Sequence, residues 1–189
     1  MKILLHICCA PCAVYPVRAL ADSGHRVRGF WFNPNVHPYQ EYARRLATLE
    51  SYAAHSRLPI IWDRSYLLEE FFRQITFREE QRCRFCYHQR LLAAARVARG
   101  GKFDAFTSTL LYSKFQNHDL IRELAEQVVQ EVKVPFYYED FRKGWAQGHE
   151  RAKRLGLYKQ QYCGCIFSER DRYYKETREP AAAPRLLKR

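Results

Sequence analysis

Several absences narrow the class of this chain before any motif is read. No stretch approaches the roughly 18 consecutive apolar residues that a membrane-spanning helix requires. The apolar run from Met1 to Ala10 is shorter than a secretory signal, has no small-residue cleavage site, and leads straight into cysteines. It reads instead as a first buried strand. Glycine is scarce, at 8 of 189 residues, and neither GxGxxG nor GxxxxGK(S/T) occurs. A backbone cradle for phosphates therefore has no support, and neither does nucleotide hydrolysis. Internal repeats and long linkers are also missing. Cysteine is too sparse for a disulfide scaffold and odd in number, seven residues in all. The expectation is a cytoplasmic globular chain, with a single α/β catalytic domain over residues 1–177 and a disordered basic tail over 178–189.

What is present is equally specific. Hydrophobic residues make up 47% of the chain, enough for a core. Lys and Arg number 32 against 20 Asp and Glu, a net +12 that favours a polyanionic partner. No helix is patterned for a membrane surface, so nucleic acid is the preferred partner. Basic residues concentrate at Arg78–Lys102 and Arg142–Lys159, and Trp145, Tyr158 and Tyr162 are interleaved with or adjoin the second stretch. Cations with interspersed aromatics suit RNA backbones and splayed bases; either stretch alone is more often a solvated helix face.

Periodicity predicts strands at Lys2–Ile7, Val27–Phe32, Pro59–Trp62, Asp104–Thr107 and Lys133–Tyr137. Between them it predicts helices at 13–21, 39–55, 66–75, 86–99 and 119–130, with two more at 150–155 and 168–175. Strands alternating with helices imply a parallel sheet covered on both faces, in which chemistry gathers at the carboxyl ends of the strands. Cys8, Cys9 and Cys12 fall at the end of the first strand.

The other cysteines are also grouped: Cys83 with Cys86, and Cys163 with Cys165. A C-x-x-C alone fits half a zinc site, a dithiol or half a cluster site. Added to Cys8 and Cys9, it supplies the four thiolates of an iron–sulfur cubane or of a zinc site. The surplus of three thiols tilts the choice toward redox chemistry. Cys163-Gly164-Cys165 suits either a strained, reducible disulfide or a metal chelate. Cys12 is either a buried thiol or a ligand to a second metal. His6 reads as a core histidine. Thr107 to Thr109 and Tyr112, Ser113, Lys114, Gln116, Asn117 and His118 supply more polar groups than one helix cap needs, which favours ligand binding. Tyr112, His118 and Lys114 are the candidate proton donors.

The motifs His6-Ile7-Cys8-Cys9-Ala10-Pro11-Cys12, Cys83-x-x-Cys86-Tyr87, Thr107-Ser108-Thr109-Leu110 with Gln116-Asn117-His118, and Tyr162-Cys163-Gly164-Cys165 resemble the epoxyqueuosine reductase QueH family. The resemblance runs to about Tyr174. It implies a Rossmann-like domain related to the adenine-nucleotide α-hydrolase folds. It also implies a cobalamin-independent reductase for the last step of queuosine synthesis in the tRNA anticodon, fed by an unidentified electron donor. Carried onto this chain, Cys8, Cys9, Cys83 and Cys86 hold a four-iron, four-sulfide cluster. Cys163 and Cys165 form a redox-active pair or ligands to an adjacent single iron or other divalent metal, with Cys12 as a possible third ligand. Two other readings stand beside this one: a zinc-binding tRNA-binding module, and a tRNA sulfur-transfer enzyme.

Overall fold

The computed structural model describes residues 1–175; the tail expected at 178–189 lies outside them. The first strand, β1 (Lys2–Ile7), is apolar because it is covered on both faces: Ile3, Leu4, Leu5 and Ile7 are all fully buried. Two-sided burial replaces in–out alternation with a continuous hydrophobic run. Then follow α1 (Ala10–Asp22), β2 (Arg26–Trp31), α2 (Tyr39–Ser56), β3 (Ile60–Trp62), α3 (Leu68–Ile75) and α4 (Arg82–Gly100). The chain continues with β4 (Ala105–Ser108), α5 (His118–Val132), α6 (Trp145–Arg154) and α7 (Ile166–Tyr173).

The four strands form one sheet in the order β3-β2-β1-β4, with every pairing parallel. The expected α/β, Rossmann-like class holds. Lys2 to Ile7 pair with Arg26 to Trp31 on one side, and Ile3 to His6 with Ala105 to Ser108 on the other. The chain thus builds outward from β1 through β2 to β3, then returns to lay β4 on the opposite flank. The strand order reverses between β1 and β4, where open parallel sheets bind their ligands.

Several expectations shift, among them the start of α6, five residues before the expected 150. The strand at Lys133–Tyr137 shrinks to a single bridge between Phe106 and Phe136. Pro135 gives its carbonyl to Phe106 N but has no N–H to return. Helix α1 begins at Ala10 rather than Ala13, with Pro11 in the first turn, where a missing N–H costs nothing. Cys9 is its N-cap residue and Cys12 lies in its opening turn. Helix α4 begins at Arg82, so Cys83 and Cys86 stand three residues apart on one helix. Among the described residues no helix is long and apolar enough to cross a membrane.

Candidate active site

The site begins where β1 and β4 end. Cys8 directly follows β1 and Thr109 follows β4. The Cys8 backbone N–H donates to Thr109 Oγ1 at 3.0 Å, and that hydroxyl donates to Cys8 Sγ at 3.3 Å. Beneath them, His6 is a satisfied core residue. Its Nε2 lies 3.1 Å from the Phe32 carbonyl, which can only accept, so Nε2 carries the proton. Nδ1 then accepts from Ser108 Oγ at 2.9 Å. Full burial lowers the imidazole pKa to about 4, so it stays neutral.

The sulfurs of Cys8, Cys9 and Cys12 all lie within 4.8 Å of one another. Among the described residues no other trio of Cys, His, Asp or Glu meets that spacing. Three thiols converging this closely suit a metal, since sulfurs ~2.3 Å from one tetrahedral ion stand a few ångströms apart. Within the trio, hydrogen bonds from Cys12 and Cys9 lower the Cys8 pKa well below the ordinary thiol value. The Cys12 thiol is raised because it donates to Cys8, and burial raises Cys9. One negative charge therefore settles first on Cys8.

Cys83 and Cys86 do not join this trio. Cys86 is buried, and desolvation pushes its pKa up to about 12; Cys83 is exposed. The fully buried Arg90, one turn along α4, donates Nη2 to Cys86 Sγ at 2.9 Å and Nε to the Cys86 carbonyl at 3.1 Å. The fields of Cys86, Cys163 and Cys8 all act on this guanidinium, so one cation serves three of the cysteine segments. Its role is not evident from composition, since buried arginine is rare and α4 reads only as alanine-rich.

Cys163 and Cys165 come to the same end of the sheet on the segment after α6. A second buried guanidinium fixes that segment. Arg45 pairs with Glu41 at 2.7 Å, with side chains 1% and 8% exposed. It also donates to the carbonyls of Cys163 and Tyr162 at 2.8 and 3.1 Å. The Tyr158 hydroxyl donates to the other Glu41 oxygen at 2.6 Å. Tyr162 Oη donates to the His37 carbonyl, and His37 N–H donates to the Gly164 carbonyl. A Cβ on Gly164 would stand 3.1 Å from Asn35 Nδ2 and 3.4 Å from Arg45 Nη1, so any larger residue would press on the side chains that hold the turn. The 45/41 pair is an ordinary i,i+4 couple in the sequence, and nothing in its spacing reveals that it holds a cysteine loop.

A cavity of about 450 Å³ opens beside these groups and is lined by Cys8, Cys12, Arg90, Thr109, Tyr112, Gln116 and Cys163, among others. Gln116 Nε2 donates to Cys163 Sγ at 3.2 Å while its carbonyl accepts from Tyr87 Oη, which fixes the amide's orientation. Tyr112 donates to the Trp145 carbonyl at 3.0 Å, and burial raises its pKa, so the phenol keeps its proton. The other two expected proton donors are placed differently. Lys114 Nζ stands 4.2 Å over the Trp145 ring, and His118 is buried as the first residue of α5, outside the cavity lining. Asn117 is the α5 cap, accepting from Leu120 N–H.

Fold and site together define a parallel α/β domain with a thiol-lined cavity at its strand-order reversal. A family model described as epoxyqueuosine reductase QueH matches residues 3–171. The chain is 37% identical over 174 residues to epoxyqueuosine reductase QueH of Dehalococcoides mccartyi, covering 92% of this chain and 96% of that one. It is 31% identical over 183 residues to the protein of that name from Thermotoga maritima, covering 92% and 93%. For the one from Histophilus somni the figures are 32% over 178 residues, covering 90% and 73%. The chain belongs to the epoxyqueuosine reductase QueH family.

Proposed function

We propose that this protein is an epoxyqueuosine reductase, which deoxygenates epoxyqueuosine to queuosine in a tRNA anticodon without cobalamin. The observation that carries the reading is the meeting of Cys8, Cys12, Cys163 and Tyr112 on one cavity, in a chain whose relatives bear that activity in their names.

The reaction converts an epoxide to an alkene and water, consuming two electrons and two protons. Oxidation of a Cys163–Cys165 dithiol to a disulfide releases two electrons and two protons, so the two half-reactions balance. Gln116 holds the Cys163 sulfur toward the cavity, and the Arg45–Glu41 pair holds the loop that carries it. Tyr112, protonated at working pH, delivers a proton to the departing oxygen.

Cys8, Cys9, Cys83 and Cys86 are assigned to an iron–sulfur cluster, with Arg90 offsetting the charge of its thiolates. This assignment rests on the chemistry of the donor set and on Arg90, which is hydrogen-bonded to Cys86 and whose charge also acts on Cys8. When bound, such a cluster supplies electrons singly, and an external donor restores the dithiol. Cys12 and Cys163 line the same cavity, which favours a second reading in which they and Cys165 bind a single iron beside the cluster.

Anaerobically purified protein should contain iron and acid-labile sulfide in the equal amounts of a cubane, with visible absorbance that bleaches on reduction. Cys163→Ala should abolish turnover while leaving that absorbance in place. Full activity in the variant contradicts the role given to Cys163. Zinc as the sole metal would turn the reading to a zinc-stabilised RNA-binding module.

A further inference from the structure

The two basic stretches are neutralised within the fold only in part. Arg82, Arg84, Arg96, Arg142, Lys143 and Arg154 each pair with a carboxylate. Around the cavity, Lys114, Lys159 and Arg172 are exposed and form no ion pair among the described residues. Two of the aromatic side chains that line the cavity are Trp145 and Phe115. Trp145 is already engaged, with His149 stacked on it at 5.1 Å and 9° and Lys114 4.2 Å from its centroid. Phe115 is not. It lines the cavity, is 88% exposed, and among the described residues stacks on no ring and takes no cation. Its backbone N–H donates to Ser113 Oγ at 3.2 Å, which fixes the loop under it.

An exposed phenylalanine costs solvation and contributes nothing to the core. It is isolated and bordered by cations and amides, which does not match the contiguous apolar centre of a protein–protein interface. An aromatic face beside unpaired cations at the mouth of a cavity matches the way single-stranded RNA is held, with bases on rings and phosphates on cations.

We propose that Phe115 is a stacking platform for one unpaired base of the RNA substrate, next to the nucleotide that enters the cavity, and that Lys114, Lys159 and Arg172 contact the flanking phosphates. The proposal rests on the reductase reading for the identity of the RNA, and on the geometry alone for the stack. A ring on the rim selects a splayed loop over a duplex, whose bases are already stacked on one another.

Phe115→Ala, Phe115→Tyr and Lys159→Ala test it in the full-length holoprotein, with a fluorescein-labelled anticodon stem–loop and a labelled duplex RNA read by anisotropy. Phe115→Ala should weaken stem–loop binding by about 5- to 150-fold, the range for losing one base stack. Phe115→Tyr should bind like wild type, and the duplex should bind weakly and equally to all forms. The log–log salt slope should be unchanged in Phe115→Ala and shallower by ~0.7 to 0.9 in Lys159→Ala. Wild-type stem–loop affinity in Phe115→Ala, or equal binding of stem–loop and duplex by wild type, overturns the proposal. Epoxide removal from tRNA by the wild-type protein is assayed alongside. Its absence defeats the reductase reading, while the stem–loop comparison still decides the stack.

Discussion

The thiols of the β1–α1 turn are chemically unequal although adjacent in sequence. Cys8 accepts from Cys12, Cys9 and Thr109 and is driven toward thiolate, whereas Cys9 and Cys12 are driven toward thiol. In metal-free protein at neutral pH, limited alkylation followed by peptide mass spectrometry should modify Cys8 ahead of Cys9 and Cys12. Equal labelling of the three would remove the hydrogen-bonded hierarchy. Arg45 offers a second test. Arg45→Met leaves Glu41 buried without its cation and frees the Cys163 and Tyr162 carbonyls. Chemical denaturation should show a loss of about 3–5 kcal/mol, and turnover should fall further than stability alone explains. At this scale the sequence was legible for residue types and opaque for partners. Seven cysteines in three groups announce the chemistry, but Arg45 and Arg90 act across 118 residues and across separate cysteine segments. No local pattern encodes such contacts.

The elements place the site. Cys8 and Thr109 meet because β1 and β4 are parallel neighbours whose carboxyl ends coincide, and because the strand order reverses between them. Alternation of strands and helices sufficed to foresee the parallel sheet. It missed the early starts of α1 and α4, because a Pro near a helix start and a Cys-Arg-Phe-Cys run carry little helical periodicity. The consequence is local but chemical: Cys12 turns toward Cys8 and Cys9, and Cys83 shares a helix with Cys86. The packing of α6 against the cavity wall also depends on one position. A Cβ on Gly148 would come within 2.5 Å of Tyr112 Oη and 2.8 Å of Tyr15 Cβ. Gly148→Ala should therefore displace α6 or Tyr112, costing roughly 1–3 kcal/mol in denaturation and lowering the turnover rate. Unchanged stability and turnover would mean that this contact gives way freely.

At the scale of the whole molecule, His37 joins His6 in setting an acid limit. The His37 ring packs among Phe71, Phe72 and Tyr66, and burial lowers its pKa to about 4. The unfolded chain takes up this proton near the ordinary value of ~6.5, the folded chain only near 4. Between those values the unfolded state binds more protons, so stability falls as pH falls. The share due to His37 is up to roughly 3 kcal/mol. His37→Phe should flatten that limb of the stability–pH curve, and an unaltered slope would mean the ring is solvated in the native state. Charge acts at this scale as well. The +12 surplus suggested nucleic acid before any fold was known, yet it did not reveal that the cations left unpaired at the cavity stand at its rim.

The central claim is that this thiol-lined cavity removes an epoxide oxygen from a nucleoside in RNA. It is tested most directly by incubating the anaerobic, reduced protein with tRNA carrying epoxyqueuosine, then digesting the RNA and analysing the nucleosides by mass spectrometry. Conversion to queuosine, lighter by one oxygen atom and lost in Cys163→Ala, is the result expected. Epoxyqueuosine recovered intact from protein with a full complement of iron and sulfide would contradict it.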